Sequence, residues 1–244
     1  MRIEHRRAVR RRWILLGFAA AGAAALSMLY FDLRAIALAR MLPEGWSWFF
    51  ATITDLGLYG VFLWPLGIAL IVIAFAGAVR LPPVKQRVLA ALALRMQFLF
   101  LAIAVPGVIV AVLKRLAGRA RPSAFEEPNV FTFDPFAASD VYASIPSGHT
   151  TAAFAAMAAI SALWPRLFPV LLGYAVLIGL SRIATFHHFP SDVIVGAFAG
   201  ALGAFLVREY FAARRLGFDR ETDGAVRPMP GPSWARLRAV FRAV

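Results

Sequence analysis

The sequence predicts an all-α, polytopic membrane protein with six transmembrane helices. Three observations point there. Hydrophobic residues make up 61% of the 244 and charged residues only 16%, against about a quarter charged in a soluble domain, and the mean hydropathy is +0.71. A hydrocarbon core about 30 Å thick needs roughly 20 apolar residues in helix, and six stretches approach that length. The arginines gather in short runs that flank those stretches, as membrane-inserted chains place them.

In chain order, residues 1–12 form a basic N-terminus with Arg2, Arg6, Arg7, Arg10, Arg11 and Arg12. The first span runs near Trp13–Phe31. Its basic flank and the run Ala-Ala-Gly-Ala-Ala-Ala also read as a cleavable signal peptide. The run is long for that, and an uncleaved first helix explains it equally well. Met41–Phe50 concentrates aromatics as an interfacial belt does. The second span runs near Leu56–Val79, the third Val88–Leu113, the fourth Thr150–Trp164, the fifth Leu167–Ala184 and the sixth Val193–Val207. The fourth is the shortest. Backbone that faces lipid must bond within itself, so each span is expected to be helical. The spans make one domain over 13–212, followed by a basic tail over 213–244. In that tail Trp234, Leu237, Phe241 and Val244 recur at helical spacing with Arg236, Arg238 and Arg242 between them. This is the pattern of an amphipathic helix on an anionic leaflet.

With the N-terminus cytoplasmic, nineteen Lys and Arg fall inside and seven outside. The bias is that of an inserted chain, and the net charge of +13 therefore belongs to the membrane, not to nucleic acid. There are no cysteines, which excludes disulfides, thiol catalysis and thiolate metal sites. This topology puts three polar clusters together at the non-cytoplasmic ends of spans three to six. They are Lys114 to Arg121-Pro122; Pro146-Ser147-Gly148-His149; and Ser181-Arg182 with His188 and Asp192.

Together these residue types suit a phosphate site. Lys114, Arg121 and Arg182 offer a point charge and two planar forks. Ser147 stands at the N-cap position of the fourth span, leaving the Gly148 amide as a first-turn donor at the positive end of a helix. His188 and Asp192 lie four apart, adjacent if helical, with Pro190 suited to a helix start. A carboxylate against an imidazole fixes its tautomer. His149 is the remaining titratable group and suits proton donation to a leaving oxygen. Singly, each piece reads as an anchor, a helix start or a cap. Their joint occurrence on one face does not.

The clusters resemble the three signature motifs of the type-2 phosphatidic acid phosphatase family, Lys-x6-Arg-Pro, Pro-Ser-Gly-His and Ser-Arg-x5-His-x3-Asp, with all eleven fixed identities in place. The resemblance implies a membrane lipid phosphatase in which His188 attacks phosphorus, Asp192 orients it and His149 acts as general acid. Lys114, Arg121, Arg182, Ser147 and Gly148 would hold the phosphoryl oxygens, with no metal and no cofactor. His187 matches no motif position. The implied partner is a phosphorylated lipid in the bilayer: undecaprenyl pyrophosphate, phosphatidylglycerol phosphate, phosphatidic acid or a lipid A phosphate. The implied location is a bacterial inner membrane, with the site facing the periplasm or outer side. A lipid-to-lipid phosphotransferase uses the same motifs. Soluble vanadium haloperoxidases share the constellation but not six apolar spans. A transporter would carry its charges near mid-membrane, whereas these lie at span ends.

Overall fold

The computed structural model describes residues 2–78, 81–221, 223–233, 235 and 238. Helices stand at all six expected positions. Helix α1 (Arg2–Leu26) continues through a π-helical turn (Ser27–Phe31) into α2 (Asp32–Arg40). A Pro43 break then starts α3 (Glu44–Ile53), and a 3₁₀ turn (Thr54–Gly57) leads into α4 (Tyr59–Ala78). Next come α5 (Pro83–Ala117), α6 (Gly148–Leu163), α7 (Phe168–Ala184) and α8 (Pro190–Ala213). Among the described residues, five runs can cross a membrane by length and composition: Arg7–Arg40, Glu44–Gly77, Pro83–Ala117, Pro165–Ala184 and Pro190–Ala213.

Helix α6 is the exception at 16 residues, which at 1.5 Å per residue is about 24 Å. It occupies the centre of the bundle, against α5, α7 and α8. Ala152, Ala153, Ala155, Ala156 and Ala159 are all buried. Such a helix meets protein on every side, so it need not match the bilayer as a lipid-facing one must. The outer surface is apolar instead: Leu15, Phe18, Ile68, Ile71, Phe75, Val108 and Ile109 are exposed, as lipid-facing residues should be.

Small residues set the closest approach. A Cβ at Gly200 would lie 2.3 Å from the Thr151 carbonyl oxygen, and one at Gly196 would lie 2.6 Å from that of Ser147. Backbone-to-backbone contact between α6 and α8 therefore depends on these two glycines, as small-residue packing does in membranes. At the other end, Phe98 of α5 meets Phe211 and Phe218 edge-on, with ring centroids 5.5 and 4.7 Å apart. Phe218 belongs to a short antiparallel hairpin of β1 (Phe218–Arg220) and β2 (Val226–Pro228), so the chain after α8 first packs back on the bundle. The amphipathic pattern from Trp234 to Val244 lies outside the described residues, apart from Ala235 and Arg238.

Candidate active site

Four helix termini meet at one end of the bundle: the C-terminal ends of α5 and α7 and the N-terminal ends of α6 and α8. They carry all eight residues singled out from the sequence. Lys114 lies in the last turn of α5 and Arg182 in that of α7. Arg121 follows α5, Gly148 and His149 open α6, and His188 and Asp192 bracket the start of α8. Anions are favoured at helix N-termini, and here two such termini face two cationic C-terminal turns.

Helix α5 ends at Gly118, whose φ of 61° and 1.9 Å distance from a would-be Cβ to the Asp134 carbonyl oxygen admit only glycine. The chain after it is tied down. Arg115 donates to the carbonyls of Ala138 and Ser139 at 2.8 and 3.1 Å and to Asp140 at 2.6 Å. Its own carbonyl accepts from Phe136 at 2.7 Å. Arg121 is thereby held over the site on ordered backbone.

Ser147 is fully buried with extended backbone, at the N-cap position expected for it. Its hydroxyl does not cap the helix; it accepts from the Thr150 hydroxyl at 2.9 Å. Its carbonyl accepts from the Thr151 amide and hydroxyl, and its N–H donates to the Asp192 carbonyl at 3.0 Å. Gly148 opens α6, so its amide is one of the first-turn donors that no intrahelical acceptor reaches. A Cβ there would lie 3.4 Å from Lys114 Nζ, which places the ammonium beside this amide. Lys114 interacts electrostatically with Arg121 and Arg182, and His149 with Arg182, His188 and Lys114. Three cations and two imidazoles thus act on one another, with Asp192 and Asp140 the carboxylates that act on Lys114, and a bound anion would further favour the arrangement.

His188 does not sit in the helix with Asp192, as spacing alone suggested. Phe189 is the N-cap of α8, Pro190 its first residue, and Asp192 closes a capping interaction by accepting from the Phe189 N–H at 2.8 Å. His188 lies just before the cap, buried, with Nδ1 3.8 Å from Asp192 Oδ2. The four-residue spacing works through the cap geometry. Burial pushes the His188 imidazole down to about 3; Lys114 and Arg182 act in the same direction, and Asp192 opposes them. The ring is therefore neutral near pH 7, with a lone pair available. Arg121 is also lowered, chiefly by burial. His187, half-buried, donates from Nδ1 to the Thr185 carbonyl at 2.7 Å and is lowered by burial and by Arg182.

The sequence reading missed what holds Asp192. Arg119, which occupies no fixed motif position, is buried and donates to Asp192 Oδ1 at 2.5 Å, to Asp32 Oδ2 at 2.9 Å and to the Val130 carbonyl at 3.0 Å. Its guanidinium lies 4.4 Å from the Phe189 ring centroid. Asp192 Oδ2 also accepts from Ser144 at 2.6 Å. Asp32 reaches the cluster from the first helical run. The π turn sets residues five apart in register, so Ser27 Oγ meets Asp32 Oδ1 at 2.7 Å. Ser191 adds its N–H to Oδ1 at 3.0 Å and its hydroxyl to Oδ2 at 2.5 Å. Thr54, also unflagged, accepts from Arg182 Nη1 at 2.6 Å. A lone acid at the end of an apolar run is expensive in a membrane, and that was the one signal for Asp32.

Buried nitrogens that lack a hydrogen-bond partner mark where a ligand would bond. Among the motif residues these are Arg121 Nε and Arg182 Nε, while His188 Nδ1 faces Asp192 Oδ2 at 3.8 Å and leaves Nε2 for the ligand. The arrangement suits a tetrahedral anion presented to His188.

Comparison with known proteins bears on the family and the fold. The model of the PAP2 superfamily matches residues 96–216. A lipid A 1-phosphatase of Rhizobium etli is 33% identical over 221 residues, covering 87% of this chain and 91% of that protein. Another from Rhizobium johnstonii is 34% identical over 145 residues, and the match spans 59% of this chain and 56% of that protein's length. Among solved structures, LpxE of Aquifex aeolicus superposes with a TM-score of 0.51 at 28% identity, over 74% of this chain and 96% of that one. A transmembrane PAP2 type phosphatidylglycerolphosphate phosphatase from Bacillus subtilis superposes with a TM-score of 0.58 at 21% identity, over 81% and 94%, and supports the fold alone.

Proposed function

Because this chain belongs to the PAP2 superfamily, we propose that it is a metal-independent membrane phosphatase that hydrolyses a lipid phosphate through a phosphohistidine. The observation that carries the reading is the meeting of eight motif residues at one end of the bundle, with the buried Nε of both Arg121 and Arg182 lacking a hydrogen-bond partner. His188 attacks through Nε2 while Nδ1–H faces Asp192. The phosphorus–oxygen bond to the lipid breaks, and protonated His149 gives its proton to the departing alkoxide. Water then attacks phosphorus, passing a proton to His149, and the nitrogen–phosphorus electron pair returns to His188. Lys114, Arg121, Arg182, Ser147 and the Gly148 amide hold the phosphoryl oxygens as charge builds on them.

The two relatives named as lipid A 1-phosphatases favour a lipid A phosphate as the substrate. The relatives fit a bacterial inner membrane, and the charge count turns the site to the periplasmic side. A phosphotransferase uses the same covalent step and differs only in the second acceptor.

The deciding assay measures phosphate release by purified enzyme in detergent from lipid A, undecaprenyl pyrophosphate, phosphatidylglycerol phosphate and phosphatidic acid. Lipid A should turn over fastest, and His188→Ala should fall to background. Turnover by that variant near the wild-type rate would end the nucleophile assignment. Labelled phosphate recovered as free phosphate supports hydrolysis, and label recovered on a second added lipid supports transfer. EDTA should leave the rate unchanged, and its loss would end the metal-free reading.

A further inference from the structure

Two buried carboxylates share one guanidinium at this site. Asp32, Arg119 and Asp192 are each at most 1% exposed. Arg119 bonds Asp192 Oδ1 through Nη1 and Asp32 Oδ2 through Nη2. Counting charge, Arg119 carries one positive and the carboxylates two negative, so the cluster as a whole is left with one negative charge. Without Asp32 the Arg119–Asp192 pair would be neutral. Asp32 also lies outside the segment, 96–216, that matches the family model, and no motif position assigns it a role.

We propose that Asp32 is a positioning residue that acts through Arg119: it neutralises the guanidinium so that Asp192, still anchored, keeps its negative charge for His188. The inference rests on the phosphohistidine reading. When His188 Nε2 forms the bond to phosphorus, Nδ1 keeps its proton and the ring becomes an imidazolium. That positive charge arises with Nδ1 3.8 Å from Asp192 Oδ2, in a buried site, where an uncompensated negative charge counts most. It disappears when the bond to phosphorus breaks. Asp32 therefore stabilises the covalent intermediate and the transition states on either side of it, and substrate binding much less.

The geometry equips Asp32 for this and nothing nearer the reaction. All four of its acceptor bonds come from Ser27, Ser191 and Arg119, so it touches neither His188 nor the phosphate cradle. Arg119 is pinned independently by the Val130 carbonyl and the Phe189 ring. Asp192 keeps its Ser144 and Phe189 bonds whatever happens at Asp32. A change of charge at 32 can therefore reach His188 with little change of shape.

The test is a double-mutant cycle on kcat and KM with lipid A and with phosphatidic acid, in detergent. Asp32→Asn, which keeps size and removes charge, should lower kcat about thirtyfold or more and leave KM within about threefold, the pattern of an interaction made in the transition state. Removing the guanidinium charge as well, in Asp32→Asn/Arg119→Gln, restores one negative charge on the cluster. It should recover at least about tenfold in kcat over Asp32→Asn, a coupling that a purely structural brace would not give. Asp32→Asn with kcat within threefold of wild type overturns the inference, and so does a double variant no faster than the single one. Where Asp32→Asn does not yield folded protein, the double variant decides alone: kcat within about tenfold of wild type supports charge balance, and a fall to the level of His188→Ala overturns it. The His188→Ala control separates the two readings. If it still turns over, the covalent mechanism fails; if it is inactive while Asp32→Asn is not impaired, only the role of Asp32 fails.

Discussion

Replacing Gly196 with alanine asks whether the contact between α6 and α8 sets the geometry of the site. The new Cβ would lie 2.6 Å from the Ser147 carbonyl oxygen and 3.2 Å from its nitrogen. Both are backbone atoms, so no rotamer change relieves the contact. Reaching an ordinary separation near 3.4 Å requires a shift of about 0.8 Å, and the two helices must supply it. The displacement falls on Ser147, whose N–H bonds the Asp192 carbonyl and whose carbonyl holds Thr151. It is thus delivered to the phosphate cradle and to the partner of His188 together. Overpacking costs about 1–3 kcal/mol, offset by about 1 kcal/mol for removing a helical glycine. The melting temperature should therefore fall by only a few degrees. Misplacement of reacting groups by about 1 Å costs on the order of 10²-fold in rate, so kcat/KM should fall ten- to a hundredfold. Phosphate release and tryptophan-monitored unfolding in detergent read the two effects separately. Gly173→Ala, in helix α7 with nothing within 4 Å, is the control: it should leave kcat/KM unchanged and raise the melting temperature slightly, since the gain of about 1 kcal/mol is not offset by overlap. Turnover by Gly196→Ala within twofold of wild type would refute the claim that this contact positions the site.

Three further outcomes are expected. Gly118→Ala meets both a φ of 61° and the Asp134 carbonyl; it should lower the melting temperature more than Gly196→Ala does, because strain and overlap add. Thr54→Val removes the acceptor of Arg182 Nη1; a lost bond to a charged group is worth about 1.5–3 kcal/mol, so kcat/KM should fall at least about tenfold. His188, lowered to about 3 by burial, should make the fold acid-sensitive. Between its unfolded value near 6.5 and about 3 the unfolded chain binds a proton that the folded one refuses, so stability falls as pH falls through that window. Melting temperature against pH should show a shallower acid slope in His188→Gln than in wild type, and an unchanged slope would refute it.

How much of this was legible follows from what sequence encodes locally. Span positions were legible because apolar length and flanking arginines are properties of contiguous residues. That the eight motif residues would come together was legible because each motif is short and its spacing carries its geometry. Even there the physical reason differed. His188 and Asp192 meet across a helix cap, and Ser147 stands at a cap position without capping. The central, all-round burial of α6 was hinted at only by its shortness and its alanines. What the sequence could not show is the support. Asp32 meets Arg119 across 87 residues, Arg182 meets Thr54 across 128, and Ser144 meets Asp192 across 48. Each is a common polar residue with no periodicity to mark it, and its role exists only once the bundle has closed.

That difference has a consequence for specificity. In the proposed mechanism the motif residues handle phosphate, which every lipid phosphate presents alike, so they would carry no information about the rest of the lipid. Whatever selects the lipid must contact its sugar or acyl parts, beyond the phosphate cradle. Phe125, Phe131, Phe133 and Phe136 are exposed on the segment between α5 and α6. That segment is anchored at the site by Arg115 and by the bridge from Arg119 to Phe133. Exposed aromatics on a rigid loop beside a membrane-facing site are placed to meet lipid, not water. Replacing Phe131 and Phe133 with serine should raise KM for long-chain lipid phosphates in vesicles and leave KM for a short-chain, water-soluble phosphatidic acid unchanged. An equal effect on both substrates would place lipid selection elsewhere in the protein.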